Sequence, residues 1–234
     1  YLIAKDMDLI PEGTLFDDDM LEELRPFITE WTVDAGDSIQ LPLMNHVYIG
    51  YNFTVDYGDG TGEYKITSAK DENKVHTYKD AGVYTVTIKG KCSVFEFSKD
   101  STSKDKITKI VQWGNVFNKS TCTPDTVNSA FFCCENLTGS IPENLFKYNT
   151  KVKTFCGAFF GCENLTGNIP ENLFVNNTDA TDFSHTFRDC SNLTGTPPPL
   201  WERQNITNSG YCFIGCNLLN LNEVPKSWGG NKKD

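Results

Sequence analysis

From position 51 to 57 the chain alternates: Tyr51, Phe53, Val55 and Tyr57 are apolar or aromatic, while Asn52, Thr54 and Asp56 are polar. A period of two with one greasy face predicts a half-buried β-strand. Tyr84, Val86 and Ile88 against Thr85, Thr87 and Lys89 predict another. Positions 38–43, 63–67, 75–78, 93–97 and 107–112 are shorter runs of the same character. Turn formers separate them, among them Gly58-Asp59-Gly60 and Asp80-Ala81-Gly82. About seven short strands divided by turns predict a β-sandwich over residues 31–116. In residues 1–30 the period is helical instead. Thr14 caps a run in which Phe16, Met20, Leu21 and Leu24 share one face, and Pro26 stops it. That segment reads as an acidic leader with one short helix.

From residue 117 onward the chain repeats itself. Phe-x-x-Cys begins at Phe131, Phe159, Phe187 and Phe213, ending in Cys134, Cys162, Cys190 and Cys216. Asn-Leu-Thr-Gly follows at 136–139, 164–167 and 192–195, and the fourth copy decays to Asn217-Leu218-Leu219. Each copy then has a proline, at Pro142, Pro170, Pro197 and Pro225. One copy offers Phe155, Phe159, Leu165, Ile169, Leu173 and Phe174 for burial, too little to offset the ordering of its own chain. The copies must therefore stack, which predicts a solenoid of about four coils over 117–234. Equivalent positions then fall into columns. Cys134, Cys162, Cys190 and Cys216 form one, as free structural thiols or as pairs within the column. Asn136, Asn164 and Asn192 form another, read as an inner ladder bonded to backbone. The sandwich caps one end through Gln112-Trp113-Gly114, and the shorter last copy caps the other. The fold class expected is mainly β with short helices.

Composition narrows the function. Aromatics at 12% and charged residues at 22% fit a packed core. No apolar run reaches membrane-spanning length. Of the net charge of -10, residues 1–37 carry -9. The body is nearly neutral, without the basic stripe nucleic-acid binding requires, so neither nucleic acid nor membrane insertion is expected. The chain opens at Tyr1 with no signal-peptide pattern, which reads as a mature fragment.

Candidate chemistry is sparse. Asp56 and Asp59 flank a tight turn; a carboxylate pair is one reading, an Asx-type structural turn with His76 packed beside it the stronger one. His46 falls in a loop. His185, with Asp182 and Cys190 near in sequence, raises a Cys–His–Asp nucleophile, but Cys190 belongs to the repeated column and the other copies lack a His. Neither paired Cys-x-x-Cys knuckles nor a phosphate-loop motif occurs, so no metal and no cofactor are expected. Seven Asn-x-Ser/Thr sequons read as by-products of the repeat and of a strand. Side chains that vary between coils are the place for binding: Lys147, Tyr148 and Asn149; Val175, Asn176 and Asn177; Trp201, Glu202 and Arg203. Of these, Trp201, Arg203, Tyr148 and Asn176 are the candidate binding residues, with a core role as the other reading of Trp201.

Thr54-Val55-Asp56-Tyr57-Gly58-Asp59-Gly60, His76-Thr77-Tyr78 and Gly82-Val83-Tyr84-Thr85-Val86-Thr87-Ile88 resemble the PKD-like β-sandwich, in which a Trp is typical where this chain has Tyr57. The Phe-x-x-Cys-x-Asn-Leu-Thr copies resemble BspA-type bacterial surface leucine-rich repeats, which commonly follow such a sandwich across an Ile-x-Gln-Trp-Gly seam, here Ile110-Val111-Gln112-Trp113-Gly114. The resemblance spans about residues 31–228. It implies a non-catalytic recognition or adhesion module on the bacterial cell surface, binding a protein or glycan of a host or neighbouring cell. The alternative is a structural component of a larger particle, such as a phage tail or head appendage, which would place it in a virion. An accessory domain of a polysaccharide-active enzyme is a third expectation.

Overall fold

The computed structural model describes residues 25–45, 50–97, 102–117 and 127–232; the expected leader helix and His46 lie outside them. The described chain is mainly β, with short 3-10 turns and no long helix. Seven strands come first: β1 (Phe27–Val33), β2 (Ser38–Gln40), β3 (Tyr51–Asp56), β4 (Glu63–Ile66), β5 (Val75–Thr77), β6 (Gly82–Cys92) and β7 (Ile107–Gln112). An antiparallel five-stranded sheet runs β4-β3-β6-β1-β7. β2 and β5 make a separate antiparallel pair. This pair is tied to the sheet side by Ile39, fully buried, and by His76, whose ring stacks on Tyr57 at 4.3 Å.

The alternating residues behave as expected on the core face: Phe53, Val55, Val86 and Ile88 are buried. The first strand begins earlier than position 31. Phe27, Thr29, Trp31 and Val33 point inward, and β1 lies between β6 and β7, the interior of the sheet. Thr29 tolerates burial because its Oγ1 accepts from Trp31 Nε1 at 2.8 Å. Positions 93–97 form no strand. Phe95 and Phe97 are instead core anchors, and Phe97 N donates to Ser129 O at 3.1 Å, where the repeats begin.

Each repeat opens on consecutive turns rather than on a strand. Within these opening turns two positions have left-handed backbone. The first is Ser129, Gly157, His185 and Tyr211; the second, four residues on, is Cys133, Gly161, Asp189 and Gly215. Their N–H groups, and that of the Phe between them, point at the next copy. Ser129, Phe131 and Cys133 donate to Cys156, Ala158 and Phe160; Gly157, Phe159 and Gly161 to Ser184, Thr186 and Arg188; His185, Phe187 and Asp189 to Gly210, Cys212 and Ile214. Elsewhere the copies meet in parallel bridges and in the short parallel pair β8 (Gly167–Asn168) and β9 (Leu193–Thr194).

The repeated phenylalanines lie one above another. Phe131, Phe159, Phe187 and Phe213 have successive ring separations of 5.7, 5.5 and 5.9 Å. Trp113 meets Phe131 at 5.7 Å and Trp228 meets Phe213 at 6.3 Å, so an indole closes each end. The core is therefore continuous from sheet to last copy.

The cysteine column is buried, and none of the eight described cysteines is in a disulfide. Its thiols also do something a methyl group cannot. Cys162, Cys190 and Cys216 donate Sγ–H to the carbonyls of Phe131, Phe159 and Phe187 in the preceding copy, at 3.0, 2.9 and 2.9 Å. The asparagine ladder needs correction. Asn136, Asn164 and Asn192 are exposed. Asn164 Nδ2 still reaches back to Glu135 O at 2.8 Å, and Asn136 Nδ2 to Asp105 O at 2.6 Å. The inner asparagines are Asn149 and Asn177, both fully buried although they fall among the variable positions.

Candidate binding groove across the repeats

After each Asn-Leu-Thr the chain turns at a left-handed glycine: Gly139, Gly167 and Gly195. That turn sends Leu137, Ile141, Leu145 and Phe146, and their equivalents Leu165, Ile169, Leu173 and Phe174, into the core. What remains outside is the residue after the glycine, namely Ser140, Asn168 and Thr196, and the glutamate after the proline, Glu143 and Glu171. These positions line a hollow of about 610 Å3 that crosses three copies, with Ile141 and Ile169 beneath. Glu171 and Thr196 also line a second hollow, of about 330 Å3, together with Pro197, Pro199, Trp201, Glu202, Glu223 and Lys232. The two are thus one groove along the stacking direction. Its charge is acidic, four carboxylates against Lys232, and its one large aromatic is Trp201.

Of the four binding candidates, the structure brings only Trp201 to this groove. It is half-buried, packed against the core on one side and lining the hollow on the other. Arg203 is tied to its own fold. Its Nη2 donates to Phe174 O at 2.6 Å and Nη1 to Asn177 O at 3.0 Å, and the guanidinium lies 5.5 Å over Phe183. It continues the pattern of Asn177, whose Nδ2 donates to Phe146 O and Asn149 O at 3.1 and 2.8 Å. Burial lowers the Arg203 pKa from its ordinary value. Tyr148 lines a different hollow, of about 300 Å3, where the sheet meets the first copy. Arg25 and Lys147 lie over its ring at 4.8 and 4.9 Å. Asn176 is half-buried and lines none of these hollows.

The Asp turn is held from several sides. Asp56 Oδ1 accepts from Gly58 N at 2.8 Å. Asp59 Oδ1 accepts from Thr61 Oγ1 at 2.6 Å, and Asp59 Oδ2 sits 2.7 Å from His76 Nε2. Burial pushes the Asp59 carboxyl up, but the Thr61 and His76 hydrogen bonds outweigh it and leave the pKa lowered. Cys190 is far from a nucleophile's environment: its thiol is buried, bonded to Phe159 O, and burial drives its pKa well above the ordinary value. Among the described residues no three His, Cys, Asp or Glu side chains are grouped to hold a metal ion. None of their helices is long and apolar enough to cross a membrane.

Sequence reasoning passed over Ser140, Asn168 and Thr196. The signal was present: they are the position that differs in all three copies of an otherwise repeated Gly-x-Ile/Pro-Pro stretch. Comparison of the chain with protein-family models, with curated proteins and with solved structures finds no match.

Proposed function

We propose that the chain is a non-catalytic recognition module, a PKD-like sandwich leading into a short solenoid of the leucine-rich-repeat kind, displayed on a bacterial cell surface. The observation that carries this reading is the groove, which is continuous across successive copies through Glu171 and Thr196. A surface built by repetition along an axis suits an extended partner, protein or glycan, laid along the same axis. Glu143, Glu171, Glu202 and Glu223 repel anionic chains, so the partner is neutral or basic. Trp201 is the anchor, since a half-buried aromatic in a groove gives large contact area at low entropic cost. The stacked phenylalanine column and the ladder of N–H donors support the solenoid reading.

Arrays of peptides and glycans probed with the chain test the proposal. The hits are expected to be neutral or basic, and to include at least one extended partner that weakens roughly tenfold with Trp201→Ala and loses its discrimination against anionic competitors with Glu171→Gln. Silence on both arrays, with the chain co-purifying in a larger particle, replaces this reading with the structural one.

A further inference from the structure

We infer that the third and fourth copies carry a saccharide platform made by His185, Arg188, Asp189 and Tyr211. None of these residues lines the groove, so the inference stands apart from it. At the first left-handed position the early copies have Ser129 and Gly157, whereas the later two have His185 and Tyr211, at φ 55° and 60°. A bulky side chain in that region costs energy that glycine avoids. Core burial does not repay it, because Tyr211 is 57% exposed. The two rings are instead stacked on each other, 5.2 Å apart at 20°.

Arg188 completes the surface. Its guanidinium lies 5.2 Å over Phe160 and 5.6 Å over Tyr211. Its Nη1 is 3.5 Å from His185 Nδ1, and its Nε is 3.3 Å from Asp189 Oδ2. The result is an exposed aromatic face bordered by a fixed donor group and a fixed acceptor group. A sugar ring matches this set: its C–H face lies on Tyr211 while neighbouring hydroxyls give to Asp189 and take from Arg188. Arg188 and Asp189 carry opposite charges, so the platform favours a neutral saccharide over a uronate or a polycation.

The test titrates the whole chain, by calorimetry and by chemical-shift mapping, with neutral tetrasaccharides of glucose, mannose, galactose and N-acetylglucosamine, and with a galacturonate oligomer as charged control. At least one neutral tetrasaccharide is expected to bind and the uronate to bind more weakly. Tyr211→Gly is expected to weaken binding roughly tenfold or more while melting no lower than the parent, since glycine suits the backbone there. Trp201→Ala is expected to leave this binding unchanged, which separates the platform from the groove. No binding by any neutral tetrasaccharide overturns the inference. So does binding that survives Tyr211→Gly, or that is lost with Trp201→Ala.

Discussion

Cys162 shows how much a single atom does in this stack. Phe131 O accepts both Cys134 N at 3.1 Å and Cys162 Sγ at 3.0 Å, so the thiol serves the second lone pair of a buried carbonyl. If the side chain were only a small hydrophobe, alanine would replace it better than serine. The bond predicts the reverse order. Cys162→Ala is expected to cost about 2 kcal/mol, from the cavity and the lost donor, and Cys162→Ser less. Urea denaturation of the two variants gives the order. The spacing of the Phe-x-x-Cys motif made the column legible, and the absence of disulfides among the described cysteines follows the parallel set of the side chains. The thiol's direction was not legible, because it depends on which carbonyl the neighbouring copy presents. Arg203 makes the same point at larger scale: a charged residue beside Trp201 reads as surface chemistry, yet its guanidinium is spent on Phe174 O and Asn177 O.

At the scale of the element, turns built on left-handed residues govern the repeats, while alternation governs the sheet. In burial Phe27 to Val33 alternate as Tyr51 to Asp56 do, but in hydropathy they do not, because polar Thr29 faces the core and apolar Ile28 the other side; that mismatch hid the start of β1. The opening turns of each copy have no such periodicity. Gly161 has φ 69°, and an added Cβ would sit 3.2 Å from Cys133 Sγ and 3.4 Å from Cys133 Cα. Gly161→Ala is therefore expected to destabilise by about 1–2 kcal/mol, measured as a lower urea midpoint at unchanged slope. A variant as stable as the parent would mean that this backbone relaxes out of the left-handed region.

The molecule as a whole has one core rather than two. Trp113 stands between them: its ring meets Phe27 of the sheet at 5.2 Å and Phe131 of the first copy at 5.7 Å. Backbone joins them as well, since Thr138 N donates to Thr108 O in β7 at 2.9 Å, as Thr166 N does to Gly139 O one copy later. The sheet thus presents to the first copy what each copy presents to the next. Unfolding is expected to be a single transition by calorimetry, with matching calorimetric and van't Hoff enthalpies. Two separated transitions would show that sheet and repeats hold independently.

The sequence by itself determined most of the strands, the repeat and its phenylalanine and cysteine columns, because a residue recurring at a fixed spacing in a chain that must bury it has few other places to go. Only the tertiary structure decided which polar residues of each copy face out and which lie inside. Asn136, Asn164 and Asn192 went to the surface, and Asn149 and Asn177 to the core. Both sets sit in turns, where facing depends on backbone angles, and those angles answer to hydrogen bonds from the adjoining copy. For the same reason the groove exists only once the copies are laid together: Glu171 and Thr196 belong to different copies and meet through stacking alone.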